Sequence, residues 1–216
     1  MSIAVEACEK KYSPLPRRTG RNQPYAAAPV PGSERDGVHA KTRALLRSGT
    51  QRLREKTVPG DARDEVITSC VADAQGIAPK LFDAWFATND NTTHLVMEDF
   101  EMGTLSDVLA GEHALAYYEE VDLAMAALYA RLVEGGTVCH YDPHPGNVVF
   151  RRRAGTLQAR MIDFGIAGRD GRCDIRELWI FLLRRLPKDK LRLLPKMAAM
   201  VPPDAYIDLI TPPPSP

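Results

Sequence analysis

The stretch that decides the fold is HYDPHPGN, residues 140–147, which is followed by DFG at residues 163–165. Two prolines stiffen the first stretch, and its glycine allows a sharp turn. The residues between the two stretches predict two short strands, at 147–151 and 159–162, joined by a turn at 154–156. A hairpin of these strands brings its first and last residues to the same end. The sequence therefore predicts that DFG lies beside the end of HYDPHPGN.

The polar side chains of these two stretches form a set of oxygen donors. Asn147 and Asp163 flank the predicted hairpin, and Asp142 lies five residues before Asn147. Mg²⁺ prefers such oxygens, and its coordination is completed by water and by phosphate oxygens. One carboxylate, that of Asp142, is then left to orient a hydroxyl group. The set predicts phosphoryl transfer, in which catalysis is mostly positioning and charge stabilisation.

The two stretches resemble the catalytic loop (His-x-Asp-x-x-x-x-Asn) and the Asp-Phe-Gly metal motif of the protein-kinase-like superfamily. The resemblance implies a two-lobed α+β fold, here with a reduced N-lobe and a truncated C-lobe, that uses ATP and Mg²⁺. It implies that Asp142 accepts or orients the substrate hydroxyl, and that Asn147 and Asp163 hold the metal. It also makes His140 a structural residue that braces the loop.

Residues before the catalytic loop resemble the N-lobe and hinge of kinases. The resemblance implies that the backbone from Glu98 to Phe100 binds adenine and that Met97 lines the pocket. A helical pattern at residues 61–74 resembles the N-lobe helix. Within it, Glu65 is the candidate partner for a phosphate-binding lysine.

That lysine has two candidates in the sequence. Lys56 lies nine residues before Glu65 and is favoured, whereas Lys41 lies twenty-four residues before Glu65 in a more motif-like local sequence. Nothing before Lys56 matches Gly-x-Gly-x-x-Gly. Because that loop supplies backbone donors to the phosphates, its loss leaves open a pseudokinase, a binding module without turnover.

His144 distinguishes this chain from ordinary protein kinases, which carry a lysine two residues after the catalytic aspartate. It is the second candidate catalytic residue, where it could neutralise the transferring phosphate. Asp-x-His-Pro-Gly-Asn resembles the aminoglycoside and choline phosphotransferases, and Asp-Pro-His-Pro-Gly-Asn also resembles the ABC1 atypical kinases. The absent Lys-x-Gly-Gln signature and the short chain argue against ABC1. Zinc held by Cys139, His140 and His144 is an alternative, but no second ligand pair exists.

The segment after DFG bears on the acceptor. Only residues 166–173 separate DFG from a helix predicted to begin at Asp174, which leaves no room for a long peptide-docking segment. The short segment and His144 therefore favour a small-molecule hydroxyl acceptor, with a serine/threonine protein kinase as the alternative. Residues 76–85 also resemble kinase-like proteins of large DNA viruses.

The remaining elements follow from apolar spacing. It predicts strands at 80–87 and 93–100, and helices at 105–110, at 117–134 and from 174 onward.

Charge and cysteine spacing restrict the partners and the compartment. The 216 residues carry 28 basic and 28 acidic side chains, so electrostatics give no reason to expect nucleic acid. No apolar run approaches the roughly 20 residues of a membrane helix, so no membrane partner is expected. Four widely spaced cysteines and no signal-peptide pattern predict free thiols and a cytoplasmic location.

The uneven distribution of proline predicts the domain boundaries. Residues 1–37 mix Pro, Gly and Arg without periodicity and are expected to be disordered. Residues 38–102 are expected to form the reduced N-lobe and hinge, and residues 103–210 the kinase-like C-lobe. Residues 211–216 are expected to form a disordered tail.

Overall fold

The computed structural model describes residues 3–19, 27–30, 33–36, 40–47, 51–136, 138–169 and 173–201. The chain divides into two compact units, Met1–Asp99 and Phe100–Pro216. The tail predicted at residues 211–216 and the end of the predicted C-lobe lie outside the described residues.

The first unit is built around a sheet of seven strands. These are β1 (Arg17–Arg18), β2 (Ala27–Pro29), β3 (Arg35–Asp36), β4 (Lys41–Arg47), β5 (Gln51–Pro59), β6 (Leu81–Ala87) and β7 (Thr92–Glu98). The strand order is β1-β6-β7-β5-β4-β2, and β3 also pairs with β4. Only the β1–β6 pair is parallel among these described pairings. The central strand β5 therefore lies between β4 and β7.

Two helices, α1 (Ile3–Tyr12) and α2 (Arg63–Ala74), complete the first unit. They pack against each other, and a disulfide joins Cys8 of α1 to Cys70 of α2. Helix α1 buries Val5, Cys8 and Tyr12, which recur at helical spacing on one face. Where the sequence predicts disorder over residues 1–37, the described part of that segment thus contains a helix and short strands. The apolar face of α1 and its covalent link to α2 account for the difference.

The second unit is mostly helical, with one hairpin. Its elements are α3 (Leu105–Ala110), α4 (Leu115–Gly135), β8 (Val148–Arg153), β9 (Thr156–Met161), α5 (Ile175–Arg184), α6 (Lys188–Leu191) and α7 (Pro195–Ala198). Strands β8 and β9 pair antiparallel, with Val148 opposite Met161. The predicted hairpin is present. All the predicted helices and strands exist, with ends that differ from the predicted ends by at most three residues.

Helix α4 organises the core of the second unit. Its apolar stripe, which includes Val121, Met125 and Leu128, is buried. The carboxylate of Asp122, also buried, accepts hydrogen bonds from the backbone amides of Lys196 and Met197 at 2.8 and 2.7 Å. This contact satisfies donors at the start of α7 and fixes that helix to α4. Among the described residues, none of the helices combines the length and apolar character that crossing a membrane requires.

All four cysteines, each a described residue, are paired. Cys8 bonds to Cys70, 62 residues away, and Cys139 bonds to Cys173, 34 residues away. The prediction of free thiols is therefore wrong. Sequence spacing carried no pairing signal because tertiary contacts, not local motifs, bring these residues together. The pairing also removes one of the two arguments for a cytoplasmic location.

Candidate functional site

The first unit brings together the predicted lysine and its glutamate. Lys56 lies on β5, between Thr42 of β4 and Leu95 of β7. Its Nζ is 2.5 Å from Oε1 of Glu65. Both side chains are largely withdrawn from water, with exposed fractions of 13% and 6%. A cation and a carboxylate paired at low exposure hold each other in one place, because neither can leave without an unpaired buried charge.

The start of α2 explains why Glu65 points to a fixed position. The helix begins at Arg63, two residues after the predicted start, and Glu65 lies in its first turn. Asp61, two residues before the start of α2, accepts a hydrogen bond from the Arg63 amide at 3.1 Å. Acidic residues are favoured in a first turn because they complement the helix dipole. The other lysine candidate, Lys41, lies on β4 opposite Thr57.

The end of β7 carries the residues predicted to contact adenine. Met97 is half-buried opposite Arg54. The backbone amide of Glu98 donates to the Lys80 carbonyl at 2.9 Å, and that of Asp99 donates to the Arg52 carbonyl at 3.3 Å. Neither amide is therefore left to donate to adenine in this arrangement. The adenine contact remains a prediction for this stretch.

Asp99 was not predicted to matter, although it anchors the end of β7. Its buried carboxylate contacts Arg54 at 2.8 Å and Arg52 at 3.3 Å. Two guanidinium groups on one carboxylate compensate the cost of burying that charge. The alternation of arginines on β5 is the sequence signal that could have indicated a buried acidic partner.

Phe100, also predicted at the adenine site, begins the second unit. It is buried, and the guanidinium of Arg151 lies 4.6 Å from the centre of its ring. Its ring therefore has a packing role within the second unit, whatever its backbone contacts.

In the second unit, hydrogen bonds tie the catalytic loop to the DFG segment. The backbone amide of Ile162 donates to the carbonyl of Asn147 at 2.9 Å. The Nε2 of His140 donates to the carbonyl of Ile162 at 2.7 Å. Ile162 is thus bonded on both sides by the loop, and the next residue is Asp163. The predicted convergence of Asn147 and the DFG segment is present in the backbone.

His140 has the structural role that the sequence predicts. It is buried, and burial lowers the pKa of its imidazole, while its bond to the Ile162 carbonyl opposes that shift. The ring also lies edge-on to Phe164, at 5.0 Å between ring centres. Since Nε2 donates to a carbonyl, the neutral ring carries its proton there, and it braces two neighbours of Asp163 without reacting.

Asn147 lies at the end of a tight turn formed by Pro145–Asn147. Its backbone amide donates to the His144 carbonyl at 2.8 Å, and its side-chain Nδ2 donates to the Asp142 carbonyl at 3.1 Å. The donor end of the side-chain amide is thus used by the loop, which leaves the amide oxygen as the ligand atom. A Cβ at Gly146 would lie 2.8 Å from the His144 ring, so a larger residue here would displace that ring.

The side chain of His144, the second predicted catalytic residue, is hydrogen-bonded to the backbone of the catalytic loop. Its Nδ1 accepts a hydrogen bond from the Gly146 amide at 3.0 Å. An accepting Nδ1 leaves the proton of the neutral ring on Nε2. That Nε2 lies 3.7 Å from Oδ2 of Asp142. His144 is thus a neighbour of Asp142 that holds the turn at Gly146, and its part in neutralising the transferring phosphate stays a prediction.

Asp142 is half-buried and contacts a residue that the sequence did not predict. Its Oδ1 accepts a hydrogen bond from Nη1 of Arg185 at 3.0 Å. Arg185 caps the C-terminal end of α5. No local pattern could have placed it here, because 43 residues separate the two side chains.

Asp163 has an uncommon backbone conformation. Its φ is +67°, in the left-handed region, and its side chain is exposed. Asp and Asn are the non-glycine residues that enter this region most readily, since their short side chains bond locally. The following Phe164 is buried. The turn therefore directs the carboxylate to solvent while its neighbour anchors it.

The short segment after DFG is fastened back to the start of the catalytic loop. Cys139 and Gly168 exchange two backbone hydrogen bonds of 2.9 Å, and Cys139 is disulfide-bonded to Cys173. A Cβ on Gly168 would lie 2.8 Å from the ring of Tyr141. These contacts join two described residues of the segment, Gly168 and Cys173, to the residue that precedes the catalytic loop.

The donor chemistry of this unit fits Mg²⁺ better than zinc. The zinc alternative is wrong because Cys139 is in a disulfide and His140 donates Nε2 to a backbone carbonyl. Within the described ranges, no group of three or more His, Cys, Asp or Glu side chains could hold a metal by itself. An amide oxygen from Asn147 and a carboxylate from Asp163 suit a cation that also takes phosphate oxygens and water.

Comparison with solved structures identifies the fold. The Cydia pomonella granulovirus kinase PK-1 matches with a TM-score of 0.50 and 14% sequence identity, over 76% of this chain and 55% of that one. The chain thus spans about half the length of this neighbour. The likeness shows an α+β kinase-like fold, and it agrees with the predicted resemblance to kinases of large DNA viruses. A search of curated proteins gave no match.

Comparison with family models settles the family. Residues 79–196 match the ABC1 atypical kinase-like domain, which is more than half of the chain. The missing Lys-x-Gly-Gln signature and the short chain had argued against ABC1. That prediction is wrong, because the matched residues include the catalytic loop and DFG. The chain belongs to the ABC1 atypical kinase-like family.

Proposed function

We propose that this kinase-like domain is an ATP- and Mg²⁺-dependent phosphotransferase that transfers the γ-phosphate to a hydroxyl group. One observation carries the proposal. Asn147 donates from its side chain to the backbone of Asp142 and accepts at its carbonyl from Ile162, the residue before Asp163. Asn147 is therefore hydrogen-bonded both to the backbone of Asp142 and to that of the residue before Asp163, so the three residues proposed for phosphoryl transfer lie close together along the backbone.

Each residue of this set has a separate task in the proposal. Asp142, whose side chain is 42% exposed, orients the acceptor hydroxyl. Asn147 and Asp163 hold Mg²⁺, which when bound neutralises the charge of the phosphates. His144 keeps the loop in shape through its bond to Gly146. The neutral amide oxygen of Asn147 and the charged carboxylate of Asp163 suit a cation that is also coordinated by ATP.

The nucleotide side of the proposal rests on the first unit. Lys56 contacts the phosphates, and Glu65 fixes the direction of its side chain through their 2.5 Å contact. Met97, Glu98 and Phe100 belong to the stretch that binds adenine. Because the chain has no glycine-rich loop, we expect weaker ATP binding than a complete kinase N-lobe gives.

A small-molecule acceptor is favoured over a protein. Only residues 166–173 separate DFG from the N-cap of α5, and Gly168 and Cys173 within them are bonded to Cys139. So short a segment offers little extended backbone to a peptide. A serine/threonine protein kinase is the alternative, and a pseudokinase is the second alternative.

Phosphate transfer from labelled ATP tests the proposal. The protein is incubated with Mg²⁺, γ-labelled ATP and either a panel of hydroxyl compounds or a mixture of polypeptides. Asp142→Asn is expected to lower transfer by about a hundred- to ten-thousandfold, and Asp189→Asn, which removes an exposed carboxylate on α6, is the matched control. Label on polypeptides alone would contradict the small-molecule preference. Stabilisation by nucleotide without any transfer would support the pseudokinase.

A further inference from the structure

Arg185 makes a direct contact with the residue proposed to orient the acceptor. Its Nη1 lies 3.0 Å from Oδ1 of Asp142. The other carboxylate oxygen, Oδ2, lies 3.7 Å from Nε2 of His144. One oxygen of Asp142 is therefore bound by a guanidinium, and the other lies farther from His144 than a hydrogen bond. This division gives the two oxygens different roles.

The guanidinium of Arg185 is itself held in place. It stacks over the ring of Phe181, at 4.0 Å from the ring centre. Phe181 lies one helical turn earlier on α5, and the backbone amide of Arg185 donates to the Leu182 carbonyl at 3.1 Å. Stacking restricts the planar group to one orientation, which a flexible lysine could not match.

The energy of the pair is too small to explain it as a stabilising contact. The side chains of Arg185 and Asp142 are 39% and 42% exposed, and ion pairs of such exposure add little to folding. Its geometric effect is large by comparison, because it fixes the rotation of a carboxylate in an exposed loop. The nearby Nε2 of His144 lies 3.7 Å from the carboxylate, which is too far for a hydrogen bond, so His144 does not hold Asp142 in the same way.

We propose that Arg185 is a positioning residue for Asp142, an inference that rests on the proposed function. By binding Oδ1, it turns Oδ2 toward the acceptor hydroxyl and keeps the carboxylate from rotating. It acts through Asp142 and does not touch the phosphate. Displacement of a reacting group by about 1 Å can reduce turnover a hundredfold, so a residue of this kind affects kcat more than binding.

Steady-state kinetics of three variants test this role. Arg185→Gln is expected to lower kcat by about ten- to a hundredfold with both KM values within about twofold, because binding contacts are unchanged. Arg185→Lys keeps the charge without the planar fork and is expected to recover part of the loss. Arg184→Gln removes the adjacent exposed arginine and is the matched control, with kcat unchanged.

A combined variant separates positioning from direct contact with phosphate. In the Asp142→Asn background, Arg185→Gln is expected to cause no further loss of the residual kcat, because its target is gone. A further loss of tenfold or more would overturn the inference. So would a rise in kcat, which would make the pair inhibitory, or a raised acceptor KM at constant kcat, which would make Arg185 a substrate-binding residue.

A measurement that needs no turnover completes the test. The ¹³Cγ resonance of Asp142 is assigned by its disappearance in Asp142→Asn, and it is expected to shift in Arg185→Gln but not in Arg184→Gln. A wild-type protein that transfers no phosphate defeats the proposed function and leaves this readout intact. An Asp142 resonance that does not move in Arg185→Gln defeats the inference about Arg185.

Discussion

The two units hold a cation against a carboxylate in opposite ways. In the first unit, Lys56 and Glu65 keep only 13% and 6% of their side-chain surface exposed. In the second unit, Arg185 and Asp142 keep 39% and 42%. Breaking the first pair leaves an unpaired buried charge, which is costly. Breaking the second leaves two solvated charges, which water and salt already screen.

The difference separates a pair whose position is set by folding from a pair whose position is set by one exposed contact. Lys56 lies on a central strand and contacts the first turn of a helix, so folding itself sets its position. Asp142 lies in a loop, where its orientation depends on the contact with Arg185. The first pair is therefore expected to serve folding and function together, and the second to serve function alone.

Asp163→Asn is expected to have the largest effect of the changes that sharpen this comparison. Asn tolerates the left-handed backbone at φ +67°, so the variant removes the charge and keeps the turn. We expect turnover to fall by about a hundred- to a thousandfold, with the unfolding free energy nearly unchanged. Isothermal titration with Mg²⁺ and ATP measures the accompanying loss of affinity. Unchanged Mg²⁺-dependent ATP affinity would remove Asp163 from the metal site.

Breaking the two ion pairs tests the contrast in stability directly. Lys56→Met leaves Glu65 buried without its cation and is expected to lower the unfolding free energy by about 3–5 kcal/mol. Arg185→Gln is expected to lower it by less than about 1 kcal/mol. Urea unfolding of both variants gives the two values. Equal losses of unfolding free energy would show that exposure does not determine how much each ion pair contributes to stability.

Removal of either disulfide is expected to have an effect of intermediate size on the unfolding free energy. Replacing both cysteines of either pair with serine is expected to cost about 2–4 kcal/mol of unfolding free energy, because a closed loop restricts the unfolded chain. Only loss of Cys139–Cys173 is expected to reduce turnover as well, since Cys139 begins the catalytic loop. The Cys8→Ser, Cys70→Ser variant is the matched control. A loss of turnover in that control at a temperature where it is folded would contradict the distinction.

The pH dependence of stability is the smallest effect and differs between the units. Burial lowers the pKa of His140, so below about pH 6.5 the unfolded chain binds a proton more readily and stability falls. Burial alone would raise the pKa of Glu55, but hydrogen bonds from His94 and Arg43 outweigh it and lower that pKa. Stability from Glu55 is therefore lost only below about pH 4.3.

Urea unfolding across pH 3 to 8 checks both windows. Each group contributes at most about 1.4 kcal/mol per pH unit, which is the limit for one proton. His140→Asn is expected to flatten the curve between about pH 5 and 6.5, and Glu55→Gln to flatten it at lower pH. A His140→Asn curve parallel to the wild type over its window would show that the imidazole does not titrate as expected.

The arrangement of the catalytic loop and hairpin in the second unit was predictable from sequence because its signals are local. Asp142 and Asn147 are five residues apart in one stiff loop, and a hairpin with a recognisable turn returns the chain to Asp163. Each of these features depends on neighbouring residues only. The pairing of Lys56 with Glu65 was predicted with the help of resemblance, because β5 and α2 are consecutive elements.

The features that sequence did not predict all depend on contacts between distant residues. The Cys8–Cys70 bond and the Arg185–Asp142 contact join positions 62 and 43 residues apart. Proline content also misdirected the prediction for the first residues, since the helical spacing of Val5, Cys8 and Tyr12 precedes the proline-rich part. The absence of the Lys-x-Gly-Gln signature argued against the ABC1 family, whereas the matched residues 79–196 contain the catalytic loop and DFG.

His140 supports Asp163 from both sides at once. Its Nε2 bonds to the residue before Asp163, and its ring packs against the residue after it. Swinging Phe164 outward strips the imidazole of a packing partner and loosens the grip on Ile162, which is also bonded to Asn147. The Asp163 turn and the catalytic loop are thus coupled through Ile162 and Phe164. We therefore expect any displacement of Phe164 to move Asn147 as well.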